Sequence, residues 1–264
     1  MIDLSGPVLA LSAISKRFGA VQALIDVDLA LYAGEVVAVV GDNGAGKSTL
    51  VKVIAGVDAA DSGEIRWEGR RVSIRRPHDA QALGIVTVYQ DLALCSNLDV
   101  IANLWLGHEE LGGVPLLDEI DMERRARELL AALSVQLPSV RVPVASLSGG
   151  QRQAVAIARS LLGNPKLVIL DEPTAALGVA QTAQVLDLIE RLRDQGLAVV
   201  LISHNLADVR AVADRAVVLR LGRNVGDYRV TDTSRQEIVG AILGASSILS
   251  HRRAHRPAAP KAVP

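Results

Sequence analysis

Three stretches of the chain place lysine, hydroxyls, carboxylates and glycines at spacings that suit phosphate chemistry. Gly41-Asp42-Asn43-Gly44-Ala45-Gly46-Lys47-Ser48-Thr49 follows the apolar run Glu35 to Val40 and precedes the helical run Leu50 to Ala55. This is the pattern of a P-loop. Its glycines let backbone N–H groups turn inward around phosphate oxygens, and the helix that follows adds the positive end of its dipole. Lys47 is expected to reach β- and γ-phosphates and the Ser48 hydroxyl to ligate Mg²⁺. A glycine-rich turn with a chance lysine is a poor rival, because the strand and helix that the chemistry requires both flank it.

Lys166-Leu167-Val168-Ile169-Leu170-Asp171-Glu172 ends an apolar run in two adjacent carboxylates. A strand buried on both faces delivers its carboxyl end to a ligand crevice, where two acids repel unless a cation or a proton relieves them. Asp171 is therefore expected in the Mg²⁺ shell and Glu172 at the water that attacks a γ-phosphate. An Asp-Glu pair at a strand end is common, and its weight here comes from the P-loop beside it.

Ser148-Gly149-Gly150-Gln151 opens a third stretch, just before a helix predicted to run to about Leu162. Ser148 and Gln151 have capping-box spacing, and the two glycines leave N–H groups open to an anion. The chain thus has two phosphate-ready helix ends and one P-loop. The second end is expected to complete a nucleotide held by another molecule.

The elements that position these residues alternate in kind. Val8 to Ile14, Glu35 to Val40, Ile85 to Val88, Leu167 to Leu170, Leu197 to Ile202 and Ala216 to Leu219 read as strands, separated by turns and longer amphipathic stretches. That order predicts an α/β fold with a parallel sheet buried on both faces by helices. Glu64 to Ile74, around Glu68-Gly69-Arg70, predicts a hairpin of a smaller N-terminal antiparallel β layer. Helical periodicity dominates from about Asp91 to Gly163, with Met122, Ala126, Leu129, Leu130 and Leu133 on one face, which predicts an inserted α-helical lobe. Gly107 to Pro115 and Leu137 to Val144 read as its connecting loops.

Composition narrows the class. Half of the 264 residues are apolar and the net charge is −1, so no overall field gathers nucleic acid or anionic lipid. Cys95 is the only cysteine, which excludes an intrachain disulfide or a cysteine-built metal site and suits a reducing compartment. The apolar runs are strand-sized, short of the ~18 residues needed to span a bilayer, and no signal-peptide block precedes Lys16 and Arg17. Residues 251–264 carry Arg252, Arg253, Arg256 and Lys261 with no acid, and read as a basic flexible tail after one domain over 1–250.

Leu147-Ser148-Gly149-Gly150-Gln151, placed ahead of Asp171, resembles the signature of ATP-binding cassette (ABC) ATPases, and the resemblance extends over about residues 8 to 245. It implies a P-loop NTPase core that hydrolyses ATP with Mg²⁺ as a head-to-tail pair. Ser148, Gly149, Gly150 and Gln151 of one chain would then meet the γ-phosphate held by Lys47 of a second copy or of a related cassette. The resemblance further implies that Phe18 stacks on adenine, that Gln90 contacts Mg²⁺ and the attacking water, and that His204 is the switch histidine at the γ-phosphate. One position departs from the family, since Ala175-Ala176-Leu177-Gly178 has glycine where an aspartate is usual.

Tyr89-Gln90-Asp91-Leu92-Ala93-Leu94 and the run from Asn97 to Gly107 resemble cassettes of bacterial monosaccharide importers of the ribose, xylose and fructose type, with the single-cassette members the nearest in form. The resemblance implies polytopic membrane permease subunits as partners, a periplasmic sugar-binding protein acting indirectly, no nucleic acid, and a peripheral place on the cytoplasmic face of the inner membrane. An exporter cassette, or a soluble ABC ATPase acting on nucleic acid or ribosomes, is the alternative. Leu92, Leu94, Leu98 and Trp105 form a candidate apolar docking patch, and for each taken singly a place in the core of the helical lobe is an equal alternative.

Overall fold

The computed structural model describes residues 6–107 and 118–244, so most of the Gly107 to Pro115 loop and the whole basic tail lie outside the described residues. In chain order come β1 (Leu9–Phe18), β2 (Val21–Leu31), β3 (Val36–Val40), α1 (Lys47–Ile54), β4 (Ser62–Trp67), β5 (Arg70–Val72) and α2 (Pro77–Ala82). Next are β6 (Ile85–Val88), α3 (Val100–Trp105), α4 (Glu119–Ala132), α5 (Gly149–Leu161), β7 (Leu167–Asp171) and α6 (Val179–Asp194). The order ends with β8 (Ala198–Ile202), α7 (Leu206–Val212), β9 (Arg215–Arg220), β10 (Arg223–Arg229) and α8 (Arg235–Leu243).

A six-stranded sheet runs β10-β9-β3-β8-β7-β6, parallel from β9 to β6 with β10 antiparallel at one edge. The fold is the expected α/β P-loop NTPase core. Val36, Ala38 and Val40 of β3 join one apolar cluster, while Val37 and Val39 join another. This period-2 division explains why the strands read as unbroken apolar runs, since both faces are covered. One cluster takes in α1 and the antiparallel sheet β2-β1-β4-β5. The other takes in buried residues of α3, α4, α5, α6, α7 and α8, with Met122, Ala126, Leu130 and Leu133 on the buried face as the periodicity predicts.

The hairpin around Glu68 and Gly69 forms as expected, with both turn residues at positive φ (47° and 78°), the geometry that matches strand twist. Strand β2 was not among the expected strands. Its alternation slips where Ala13 of β1 and Asp26 of β2 adopt φ of 51° and 49°, so Leu24 and Val27 face the core out of simple period 2. Arg215 joins the two sheets. Its guanidinium lies 2.9 Å from Glu35 and 2.6 Å from Asp227 and donates to the Ala30 carbonyl at 2.5 Å.

The candidate docking patch loses Trp105, which belongs to the core. It is 3% exposed, its Nε1 donates to the Met122 carbonyl at 3.0 Å, and Arg125 lies over its ring at 4.9 Å. Leu92 and Leu94 are half-buried against the same cluster, whereas Tyr89 and Leu106 are exposed.

Asn103, fully buried, shapes the segment before α3. Its amide accepts from Cys95 N and donates to the carbonyls of Cys95, Leu98 and Asp99 at 2.7–3.2 Å. Truncating it removes the acceptor of the part-buried Cys95 N–H and one of the hydrogen bonds made to each of the three carbonyls. Asn103→Ala is expected to lower unfolding free energy by about 2–3 kcal/mol with an unchanged urea m-value.

Candidate functional site

Parallel strands send their carboxyl ends to one edge of the sheet, and the site residues follow from that. The loop 41–46 leaves β3, His204 follows β8, Asp171 ends β7 with Glu172 next, and Gln90 follows β6. Because β3, β8, β7 and β6 are consecutive neighbours, these ends span roughly 15 Å at about 4.8 Å per strand.

The loop after β3 turns through Gly41, Gly44 and Gly46 at φ of 154°, 78° and 108°. A Cβ on Gly46 would sit 2.8 Å from the Ala23 carbonyl, so the left-handed φ and the close backbone both require glycine there. Gly46 is also the N-cap of α1 and offers no side-chain cap, leaving first-turn N–H groups for an anion. Asp42 supports the loop through its side chain, which accepts from Asn43 N at 2.8 Å, and its carbonyl, which accepts from Ala45 N. Lys47 arches over the loop, donating from Nζ to the carbonyls of Gly41 (2.8 Å) and Asp42 (3.0 Å). Ser48 is exposed beside it, and Thr49 lines the same cleft of about 510 Å³. Phe18 is exposed at the end of β1, paired with Val21, which lines that cleft.

Asp171 is half-buried, and burial first and the neighbouring Glu172 second push its carboxyl above the usual range, with the Lys47 charge opposing both. Glu172 adopts φ of 52°, held by its N–H on the Ile202 carbonyl at 2.9 Å. Nδ1 of His204 lies 2.7 Å from its Oε2. His204 and the loop residues Gly41, Asp42 and Asn43 line one cleft of about 400 Å³. Gln90 is exposed, next to Tyr89, whose phenol is raised by burial and then by the Asp171 charge.

A brace that sequence reasoning did not find supports Glu172 and His204. Asp208, 6% exposed, accepts from Thr174 Oγ1 at 2.6 Å and from Asn205 Nδ2 at 2.9 Å. The Asn205 N–H in turn meets Ser203 Oγ at 3.0 Å. The available signal was Asn205 at N-cap with Asp208 three residues on.

Among the described residues no cluster of three or more His, Cys, Asp or Glu is placed to hold a metal. The oxygens of Ser48 and Asp171 suit a hard cation that takes its other ligands from phosphates and water, which is how Mg²⁺ commonly binds. A cation there would also offset the cost of the half-buried Asp171 carboxylate.

The expected capping box at the second helix end forms. Ser148 Oγ accepts from Gln151 N at 3.2 Å, and Ser148 N donates to Gln151 Oε1 at 2.9 Å. Gly149 lies against Leu177, just before α6, and Gly150 against Gln181 of α6, where a Cβ would come within 2.9 Å and 3.1 Å respectively. The cleft lined by Ser148, Gly150 and Gln151 shares no lining residue with the two clefts at the P-loop.

A P-loop on a parallel sheet, with a carboxylate pair on the next strand but one, defines a nucleotide-hydrolysing NTPase of the P-loop class. The chain belongs to the ABC transporter family, whose profile matches residues 24–175, and it is an ATP-binding ATPase cassette. It is 42% identical to the "Xylose/arabinose import ATP-binding protein XylG" of Sulfolobus acidocaldarius over 88% of this chain and 92% of that protein. It is 44% identical to the "Fructose import ATP-binding protein FrcA" of Rhizobium meliloti over 90% of this chain and 95% of that one. Its fold resembles the dimeric post-hydrolysis structure of the cassette MJ0796 bound to ADP and Pi, with a TM-score of 0.70 and 26% identity over 84% of this chain and 98% of that one.

Replacing the half-buried Asp171 charge tests the balance at this edge. Asp171→Asn is expected to raise the melting temperature of the nucleotide-free chain, by removing a desolvated carboxylate beside Glu172, and to lower ATP hydrolysis about a hundredfold or more. Thermal melts without nucleotide and phosphate release with Mg²⁺ read the two effects, and a lower melting point would show that Asp171 is stabilising.

Proposed function

We propose that this cassette energises the import of a monosaccharide of the xylose, fructose or ribose type, working as one of two head-to-tail copies beneath a membrane permease. The observation that carries the pairing is the separation of the Ser148 helix end from the P-loop clefts of its own chain. An anion-ready end with no nucleotide site of its own is suited to closing a partner's site. The sugar class rests on the two importer relatives, which align over nearly their whole length. Nothing in either likeness favours the exporter or soluble readings.

In this reading the N–H groups of Gly41 to Thr49 and the Lys47 ammonium bind the β- and γ-phosphates, and Phe18 stacks on the adenine. Ser48, Asp171 and Gln90 would hold Mg²⁺, which would supply positive charge against the phosphates. Glu172 orients and deprotonates the attacking water, while His204 beside it and Ser148, Gly149, Gly150 and Gln151 of the opposite copy surround the γ-phosphate. The binding protein acts from the periplasm, and the cassette sits on the cytoplasmic face of the inner membrane. A cleft of about 280 Å³ lined by Pro77, Ala80, Tyr89, Leu92 and Leu106 lies beside Gln90 and is the seat assigned to a permease helix.

Purifying the detergent-extracted complex through this subunit tests the reading. ATPase stimulation by a pentose- or ketohexose-loaded binding protein is expected, and Glu172→Gln should abolish it with a loss of about 10²- to 10⁴-fold in rate. A cassette that purifies without any membrane protein and responds to no loaded binding protein would overturn it.

Gly178 carries its own test. It is the N-cap of α6 at ordinary φ of −73°, and the nearest atom to an added Cβ is Gln181 Oε1 at 4.0 Å, so an aspartate fits without strain. Gly178→Asp is expected to change the cooperativity of ATP hydrolysis in the complex. An unchanged Hill slope would count against a coupling role for this position.

A further inference from the structure

The segment from Asp91 to Asp99 follows Gln90, and its first residues, Asp91, Leu92 and Ala93, line the cleft assigned to the permease helix. Among the described residues, the bonds to its first part come from side chains. Asp91 accepts from Ala93 N at 3.2 Å, and Arg159 of α5 donates from Nη1 to the Ala93 carbonyl at 2.8 Å and from Nη2 to the Leu92 carbonyl at 2.9 Å. Ala93 sits at φ of 48°, a left-handed conformation that an alanine holds only against strain. Arg159 thus fastens the strained point of the loop.

The second part of the segment is fastened to the lead-in of the signature. Val144 N donates to the Leu98 carbonyl and Ala145 N to the Ser96 carbonyl, both at 3.0 Å, and Asp99 bridges Pro143. Arg152, in the first turn of α5, donates to the Leu147 carbonyl at 2.7 Å. One helix therefore holds Ser148 at its start and, about 15 Å further along, the loop after Gln90.

Arg159 is an expensive way to hold a loop. It is half-buried, its guanidinium donates to two carbonyls, and burial lowers its pKa. A planar fork that reaches two adjacent carbonyls fixes their orientation, which an aliphatic side chain of similar volume cannot do.

We propose that Arg159 is a positioning residue that makes the first part of the loop, residues 91–94, and the Ser148 helix end move as one body, so that displacement of one displaces the other. The inference rests on the reading that these two regions meet the permease and the opposite nucleotide. It goes beyond that reading by naming the side chain that joins them. The physical warrant is a continuous set of hydrogen bonds between the two sites, and what it requires is a measured coupling.

Hydrogen exchange of the full chain in a Glu172→Gln background, where bound ATP persists, measures that coupling without any membrane partner. With Arg159 in place, Mg–ATP should slow exchange at 149–152 and alter it at 91–94 in parallel. Arg159→Leu should keep the response at 149–152, lose it at 91–94, and speed basal exchange of 91–94 about tenfold, the scale of a lost charge-assisted hydrogen bond. Arg159→Lys, with one donor point in place of the fork, should restore part of the basal protection and part of the response. A 91–94 response that survives Arg159→Leu would overturn the proposal. So would loss of both responses in Arg159→Leu and Arg159→Lys alike with lowered melting temperatures, which would make Arg159 a general stabiliser. If Mg–ATP leaves 149–152 unchanged with Arg159 intact, the head-to-tail reading fails, and unchanged basal exchange at 91–94 in Arg159→Leu would separately reject the clamp.

Discussion

Every strand from β9 to β6 runs the same way, and a sheet built so has one edge where all the carboxyl ends emerge. The P-loop, His204, the Asp171-Glu172 pair and Gln90 occupy that edge because their strands do. The price of the arrangement is that both faces must be buried, since parallel strands joined by crossovers have helices or a second layer on each side. Val36 to Val40 meets this by sending alternate residues into two separate apolar clusters. The chemistry is therefore held on the rigid ends of buried strands, which fixes separations that flexible loops could not.

Electrostatics at that edge are arranged around a deficit of positive charge. Asp171 and Glu172 are adjacent, and Lys47 opposes them but does not offset burial and mutual repulsion, so the Asp171 carboxyl stays above its usual range. Lys47 itself is held on two loop carbonyls, a geometry that a polyphosphate can take over with stronger, charge-assisted bonds. A site with an excess of acid beside a strongly anionic substrate is incomplete without a cation. The same cation that brings the phosphates to the carboxylates removes the repulsion between them.

Much of this was legible in the sequence because the relevant physics is local. The P-loop needs glycine at left-handed φ and a lysine one residue on, and Gly44, Gly46 and Lys47 spell that out. The six expected strands are present because residues buried on both faces leave an apolar run. Other features depend on tertiary geometry and left no such trace. Strand β2 was hidden by the paired irregularity at Ala13 and Asp26, Trp105 stayed open between docking surface and core because its partner carbonyl lies on another helix, and the Thr174-Asn205-Asp208 brace joins residues 34 positions apart. The Arg159 clamp is the same kind of case, since it reaches 66 and 67 residues back.

The two helix N-termini differ in a way that bears on how the molecule works. At Gly46 no side chain caps the helix, and the lysine of the same loop stands over the open N–H groups. At Ser148 the capping box closes the N-cap on itself through Gln151, and no lysine stands by, so the remaining first-turn donors are weaker and suited to an anion already held elsewhere. Gly149 and Gly150 keep that end thin, pressed against Leu177 and Gln181, which belong to the segment that follows Glu172. The Ser148 end and the segment that follows the chain's own Glu172 are therefore held together by direct packing, which a side chain larger than glycine at 149 or 150 would disturb.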